Sequence, residues 1–282
     1  MKRFTTSWMR VMLLGLVSLF AFQEAGAATV SYDGINYTTS GTKATVKRYT
    51  FTKGDTTFYK GDIVIPETFE LKGVTYTVVA TAANAFVDCH ELTSLQLPKT
   101  CVTIGRNCFK GCTALKNDPT PATATSLGNG YLQDCSSITE VTIPAGVPGT
   151  FTAQNLAGMT SLKKITFADS ETPFKMSVLA FVNNLGEGVK SPIEEIYFGR
   201  NLDEGSGSNM PFRGIKTLKK VTFGGNFTTV DAEMFMGCTG LTEVVYAPGV
   251  NVASLGAGAF ASCTSLASLQ IPAAITAIPE RL

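Results

Sequence analysis

Seven cysteines and one histidine are the residues of this chain that could supply nucleophilic or metal-binding chemistry. His90 directly follows Cys89. A hydrolase needs its base held against its nucleophile, whereas adjacent side chains diverge in a turn. Zinc sites usually draw on Cys-x-x-Cys pairs, and the sequence contains none. We therefore expect a non-enzymatic protein with no catalytic residue, no metal site and no cofactor.

Five of the cysteines share one position of a recurring motif, Phe-x-x-Cys-x-x-Leu. They are Cys89, Cys112, Cys135, Cys238 and Cys263. If the motifs stack, successive cysteines lie about 5 Å apart, within the Cα range of a disulfide. Side chains in register point the same way, so we favour buried thiols that act as small apolar residues, with disulfides as the alternative. Because the count is odd, at least one thiol stays unpaired in a monomer.

The motif recurs with a nearly constant period. Its Leu or Ile anchors are separated by 23, 23, 24, 31, 25, 23 and 25 residues, at Leu92, Leu115, Ile138, Leu162, Ile193, Leu218, Leu241 and Leu266. A fixed period in this range is typical of a solenoid, whose units bury their apolar faces only against their neighbours.

Each anchor opens a segment of the form Leu-x-x-Leu-x-Leu, such as LTSLQLP from Leu92 and LASLQIP from Leu266. This alternation predicts a strand with one buried side, and successive strands are expected to form one parallel sheet. The Phe, Cys and Leu of the preceding motif recur three apart, which predicts a short 3₁₀ or α turn on the opposite face.

Three segments depart from the pattern. Pro119 and Pro121 stand where the second strand should be, so its ladder is expected to be broken or bulged. The polar stretches 183–192 and 201–210 are predicted to form surface loops.

The chain divides into three predicted regions. Residues 1–27 combine cationic residues, an apolar run and small residues, as a cleavable secretory signal does. Residues 28–83 alternate without the turn motif and are predicted to form an N-terminal β cap, with a strand at IVIP from Ile63 and a hairpin at Lys72-Gly73. Residues 84–282 hold about eight repeats, and the end at Leu282 is typical of a fragment or an unusual terminus.

Charge excludes one class of partner. Cleavage of the signal changes the formal net charge from +1 to −1. Nucleic-acid binding depends on clustered Lys and Arg, so we expect no nucleic-acid partner. The apolar run of the signal is too short to cross a bilayer, and we expect no transmembrane segment in the mature chain.

One outward position of the predicted strands alternates in sign over five consecutive strands: Glu140, Lys164, Glu195, Lys220 and Glu243. Opposite charges would lie side by side, each pair worth about 0.2–1 kcal/mol, so the row is interpreted first as a register-setting ladder. A partner-binding role for Lys164, Glu195, Lys220 and Glu243 is the alternative. Tyr197, in the next outward column, is the best single candidate for a contact residue because aromatic side chains are enriched at interface hot spots.

The GCTSL-like turns, such as GCTAL and GCTGL, the bend IPAAITAI and the N-terminal segments YDGINYTTSG and GDIVIPETFELKGVTYTV resemble the BspA-like leucine-rich repeats of bacterial surface and secreted proteins, common in Bacteroidetes. The resemblance implies an α/β repeat fold: a right-handed leucine-rich-repeat solenoid with a parallel sheet on one face and short helical turns on the other. It also implies an exported protein, extracellular or at the cell surface, with the periplasm as the alternative.

The predicted function is binding of a protein or glycan partner, including host extracellular matrix in an adhesive role. The alternative is a structural stalk or spacer that presents another domain, favoured by the self-neutralised charge row.

Overall fold

The structure is a computed structural model that describes residues 27–49, 59–149, 151–176, 193–203 and 212–282. The predicted signal lies outside these residues except for Ala27, as do the predicted loop 183–192 and residues 204–210 of the second predicted loop. Among the described residues, no helix has the length and apolar character needed to cross a membrane.

The N-terminal segment is built from paired β-strands. Strands β1 (Ala28–Tyr32), β2 (Ile35–Ser40) and β3 (Lys43–Val46) form an antiparallel sheet, and β3 pairs in parallel with β6 (Val74–Thr81). Strand β5 (Thr68–Leu71) forms a hairpin with β6. Its turn residues Lys72 and Gly73 have φ angles of 52° and 76°, which confirms the predicted hairpin.

The strand predicted at IVIP is β4 (Gly61–Val64), and it pairs in parallel with β7 (Leu92–Gln96) of the first repeat. Ile63 lies opposite Leu95, as the matching sequences indicate. The N-terminal segment thus adds a strand beside the repeats. The division of the chain at residue 83 stays a prediction.

The main sheet is parallel and consists of five strands from successive repeats. They are β10 (Glu140–Ile143), β11 (Lys164–Phe167), β13 (Glu195–Phe198), β15 (Lys220–Phe223) and β17 (Glu243–Tyr246). Alternate residues face the core, and the rings of Phe167, Phe198, Phe223 and Tyr246 lie 5.4–5.8 Å apart in sequence order. Full burial of a side chain of this size stabilises the fold by about 1.5–3 kcal/mol, so this row holds the strands in register.

Shorter strands pair behind the main sheet. One series joins β6, β8 (Thr103–Ile104) and β9 (Ser126–Leu127). Two further parallel pairs join β12 (Phe174–Lys175) to β14 (Leu202–Asp203) and β16 (Thr229–Val230) to β18 (Ser254–Leu255). The last two pairs join repeats that also pair through the main sheet, so these repeats contact each other through two separate ladders.

The Phe-x-x-Cys segments, for which a short 3₁₀ or α turn was predicted, are hydrogen-bonded turns that do not continue as a helix; the one helix among the described residues is the 3₁₀ helix Ala153–Asn155. The reason is that their N–H groups alternate in direction. Val87 and Cys89 donate within their own turn, to Asn84 and Phe86, whereas Phe86 and Asp88 donate to the next repeat. Alternate N–H groups are thus withdrawn from the i→i−3 pattern that a helix requires.

The central Gly of the GCT turns also has a physical reason. Gly111 has a φ of 76°, in the left-handed region that favours glycine, and a Cβ there would collide with the carboxylate of Asp88 in the preceding repeat. Glycine at 111 therefore allows this turn to stack closely on the preceding one, whereas Asp88, Asp134 and Ser262 adopt positive φ angles at the same position of other repeats.

One strand prediction is wrong, part of one loop prediction is wrong, and the predicted break in the second repeat is confirmed. The segment 266–272 is not a strand, and Leu269 and Ile271 are only half-buried, so packing anchors them less firmly than their counterparts in the main sheet. Residues 202–203 of the second predicted loop form β14. The predicted break at Pro119 and Pro121 is present, because residues 116–125 contain no strand.

Candidate interaction surface on the parallel sheet

The five predicted charges form a row across the main sheet. Glu140 lies opposite Lys164, Lys164 opposite Glu195, Glu195 opposite Lys220, and Lys220 opposite Glu243. We call these five residues the charge row. Their register is the predicted one, because the buried residues on either side of each charge keep the period of two along every strand.

Ion pairs form only at the two ends of the charge row. Lys164 Nζ lies 3.9 Å from Glu140 Oε2, and Lys220 Nζ lies 3.0 Å from Glu243 Oε2. Both lysines turn outward from the central strand β13. Among the described residues, the exposed Glu195 has no ion pair within 4 Å. The centre of the row thus presents a carboxylate that is open to a partner.

A second charged row, one residue earlier in each strand, was not identified from the sequence. Glu194 lies between two lysines, with its oxygens 3.2 Å from Lys163 Nζ and 2.6 Å from Lys219 Nζ. The hydrogen bond from Lys219, followed by that from Lys163, holds the pKa of Glu194 below its usual range. Pairs of like charges, KK, EE and KK, at the starts of β11, β13 and β15 are the sequence feature that could have predicted this second row.

Tyr197 is half-buried on the same face of the sheet, next to the charge row. Its phenol donates a hydrogen bond of 2.8 Å to Asp169 Oδ1. Burial, together with this bond, raises the pKa of Tyr197 to about 12. The ring lies against Gly224, where a Cβ would collide with it. Tyr197 therefore has a fixed orientation, with an exposed Asp169 beside it.

The surface ends where the second repeat lacks a strand. Asn117 bonds through its side chain to the backbone of Leu95, and Asp118 Oδ2 accepts the N–H of Thr142 at 3.0 Å. The side chains of 117 and 118 thus connect β7 to β10 in place of a strand.

All seven cysteines are buried and unpaired, in agreement with the preferred interpretation. At four of the stacked positions the thiol donates to the carbonyl oxygen of a Phe in the preceding repeat. Cys112 Sγ, for example, lies 3.0 Å from Phe86 O. The hydrogen bond with Cys89 and burial both raise the pKa of Cys112. Burial raises the pKa of the other cysteines, but the pKa of Cys89 is lowered by its hydrogen bond with Cys112.

The side chains of Cys89 and His90 do not face each other. His90 is exposed while Cys89 is buried, as expected for adjacent residues that diverge in a turn. In the described part of the chain, no group of three or more His, Cys, Asp or Glu side chains could hold a metal ion.

Arg200 is a fully buried cation behind the sheet. Its guanidinium donates to the carbonyl oxygens of Pro144, Ala145 and Val147, at 2.8, 3.2 and 3.0 Å, and lies 4.8 Å from the ring centre of Phe174. Burial lowers the pKa of Arg200 to about 10. The side chain thereby joins backbone segments more than 50 residues apart.

Parallel strands that recur every 23–31 residues, alternating with stacked turns, define a leucine-rich-repeat protein. The model of the BspA type leucine rich repeat region matches residues 79–202 and 193–282, in 6 copies. The chain therefore belongs to the BspA-type leucine-rich repeat family, as the motif resemblance implied.

Several solved structures are similar to this chain. A leucine-rich repeat protein of T. pallidum is 21% identical, with a TM-score of 0.46 over 85% of this chain and 91% of that one. A leucine-rich repeat protein of Bacteroides ovatus is 21% identical, with a TM-score of 0.35 over 86% and 82% of the two chains. A leucine rich cell surface protein of Faecalibacterium prausnitzii is 18% identical, with a TM-score of 0.39 over 88% and 84%. Among curated proteins, none matches this chain.

Proposed function

We propose that this protein is exported and binds a protein or glycan partner at the bacterial exterior, through the outward face of its five-stranded sheet. The observation that carries the proposal is the open carboxylate of Glu195, which lies at the centre of a row whose other charges are paired. A fixed surface of this kind loses little side-chain entropy on binding, because ion pairs and a hydrogen bond already restrain Lys164, Lys220 and Tyr197.

The chemistry of the face fits a partner of mixed charge. Its two charged rows contain four lysines and four glutamates: Lys163, Lys164, Lys219, Lys220, Glu140, Glu194, Glu195 and Glu243. No excess of one sign favours a polyanion or a polycation. Tyr197 supplies an aromatic edge beside these charges, and aromatic residues are frequent at the centres of binding sites. Host matrix proteins and their glycans are the partner class proposed for an adhesive role.

The test measures binding of residues 28–282 to immobilised fibronectin, laminin and mucin by biolayer interferometry. We expect the triple variant Tyr197→Ala, Lys164→Ala, Lys220→Ala to lose binding. A matched control, Tyr32→Ala, Lys43→Ala, Lys72→Ala, makes the same residue changes in the N-terminal strands and is expected to bind like wild type. Equal binding by wild type and the sheet variant would remove this face from consideration.

The alternative, a stalk or spacer, is favoured by the same ion pairs, because charges that neutralise one another within a chain need no partner. The variant Glu195→Gln separates the two functions. A binding face is expected to lose affinity for its ligand, whereas a stalk is expected to keep all of its properties, since this carboxylate has no ion pair among the described residues.

A further inference from the structure

A cleft of about 310 Å³ opens in the N-terminal segment, far in sequence from the charge row. It lies between the β1–β2 turn and strand β4, and its lining includes Asp33, Tyr37, Tyr49, Lys60 and Val64. A cavity of this size holds several waters or one small ligand, since liquid water occupies about 30 Å³ per molecule.

Tyr37, one of the residues that line the cleft, belongs to the buried core. Tyr37 has no exposed surface, and its Oη has no hydrogen-bond partner among the described residues. Burial raises the pKa of this phenol, so it remains a neutral donor over the physiological range. The neighbouring phenol of Tyr59 is already engaged, because it donates to Lys47 O and accepts the N–H of Asn36, both at 3.0 Å. A buried hydroxyl without a partner is costly, and because Tyr37 also lines the cleft, a ligand bound there can supply the missing partner.

The rest of the lining is amphipathic. Asp33 and Lys60 are both exposed and have neither an ion pair nor a side-chain hydrogen bond among the described residues. Val64 is 68% exposed, although it lies in a strand beside the cleft. The half-buried ring of Tyr49 lies edge-on to Tyr59, at 5.8 Å between ring centres. Charges of both signs, a buried donor and apolar surface therefore converge on one small volume.

We propose that this cleft binds a neutral sugar residue of a glycan. A sugar's hydroxyl groups can donate to Asp33 and accept from Lys60 and from the phenol of Tyr37, so a single uncharged ligand satisfies all three groups. The weakly positive C–H groups of its ring can pack on Tyr49 and cover Val64. A charged ligand fits less well, because an anion meets the carboxylates of Asp33 and Asp62 and a cation meets Lys60.

This site is independent of the one proposed on the main sheet, and its test uses different variants. Saturation-transfer NMR on residues 28–282 would use three neutral probes: lactose, N-acetylglucosamine and methyl mannoside. We expect transfer to the ring protons of at least one sugar. Tyr37→Phe removes only the hydroxyl and is expected to weaken binding about tenfold, as for the loss of one buried hydrogen bond.

The matched control is Tyr131→Phe. Tyr131 is also a fully buried tyrosine, but it does not line the cleft. This variant is expected to bind like wild type. Absence of transfer to all three sugars would overturn the proposal, as would equal affinities of wild type and Tyr37→Phe. Binding of tetramethylammonium in place of the sugars would also overturn it, since the cleft would then be an aromatic site for cations.

Discussion

The side chain of Asn117 makes both of the hydrogen bonds that a neighbouring strand would make to Leu95. Its Oδ1 accepts the N–H of Leu95 at 3.1 Å, and its Nδ2 donates to the carbonyl of Leu95 at 2.8 Å. Prolines at 119 and 121 remove N–H donors from this repeat, so its backbone cannot form a regular ladder. A side-chain amide therefore maintains the contact between β7 and the second repeat.

Replacing Asn117 by Ala is expected to lower the free energy of unfolding by about 1–3 kcal/mol, since two hydrogen bonds are lost and the backbone of Leu95 is left without them. Chemical denaturation of the two proteins measures the difference. Asn226→Ala is the control, because the side chain of Asn226 is exposed and makes no hydrogen bond among the described residues. Equal losses in the two variants would show that the amide of Asn117 has no special role.

The carboxyl group of Asp118, in the same repeat, makes the free energy of unfolding depend on pH. Burial raises its pKa above the ordinary value of 3.8, although Thr120 and Thr142 both donate to its carboxylate. The folded state then holds the proton more tightly than the unfolded state, so this group's contribution to stability is greatest below pH 3.8 and falls as pH rises through the folded pKa.

The variant Asp118→Asn cannot ionise, so its stability relative to wild type is expected to rise with pH from about 4 and then to level off. Urea denaturation at a series of pH values checks this. A difference that stays constant between pH 3 and pH 8 would contradict a raised pKa, because any purely geometric cost of the amide is independent of pH.

Periodicity explains which features were predictable. The pairing of Glu140 with Lys164 follows from the repeat length, because one shift of register would expose the buried residues on either side. The bond from Tyr197 to Asp169 and the contacts of Arg200 with residues 144–147 do not follow from it, because they join side chains to positions that the repeat does not relate. The pattern of hydrogen bonds in the Phe-x-x-Cys turns did not follow from the sequence either, because spacing alone does not show which N–H groups bond to the next repeat.

The buried thiols are expected to resist modification. With iodoacetamide under native conditions, we expect less than one thiol per chain to react, and Cys89 to react first, because its pKa is the one that is lowered. In guanidinium chloride without a reductant, all seven should react, as counted by mass spectrometry. Fewer than seven in the denatured protein would instead show that disulfides had formed.

Substitution of the buried Arg200 is expected to destabilise the fold more than the other changes. Changing it to Met keeps much of the side chain's volume but removes the donors to Ala145 O, Val147 O and Pro144 O, and the cation over Phe174. Leaving a buried hydrogen-bonding group without its partner typically costs about 1–3 kcal/mol, and we expect a loss of at least this size by chemical denaturation, since three carbonyl oxygens lose their donors. Arg106→Met is the control, since Arg106 is exposed, and it should change stability by less than about 0.5 kcal/mol. If Arg200→Met were as stable as this control, the three carbonyl contacts would contribute nothing net, and packing of the aliphatic stem alone would account for the burial of Arg200.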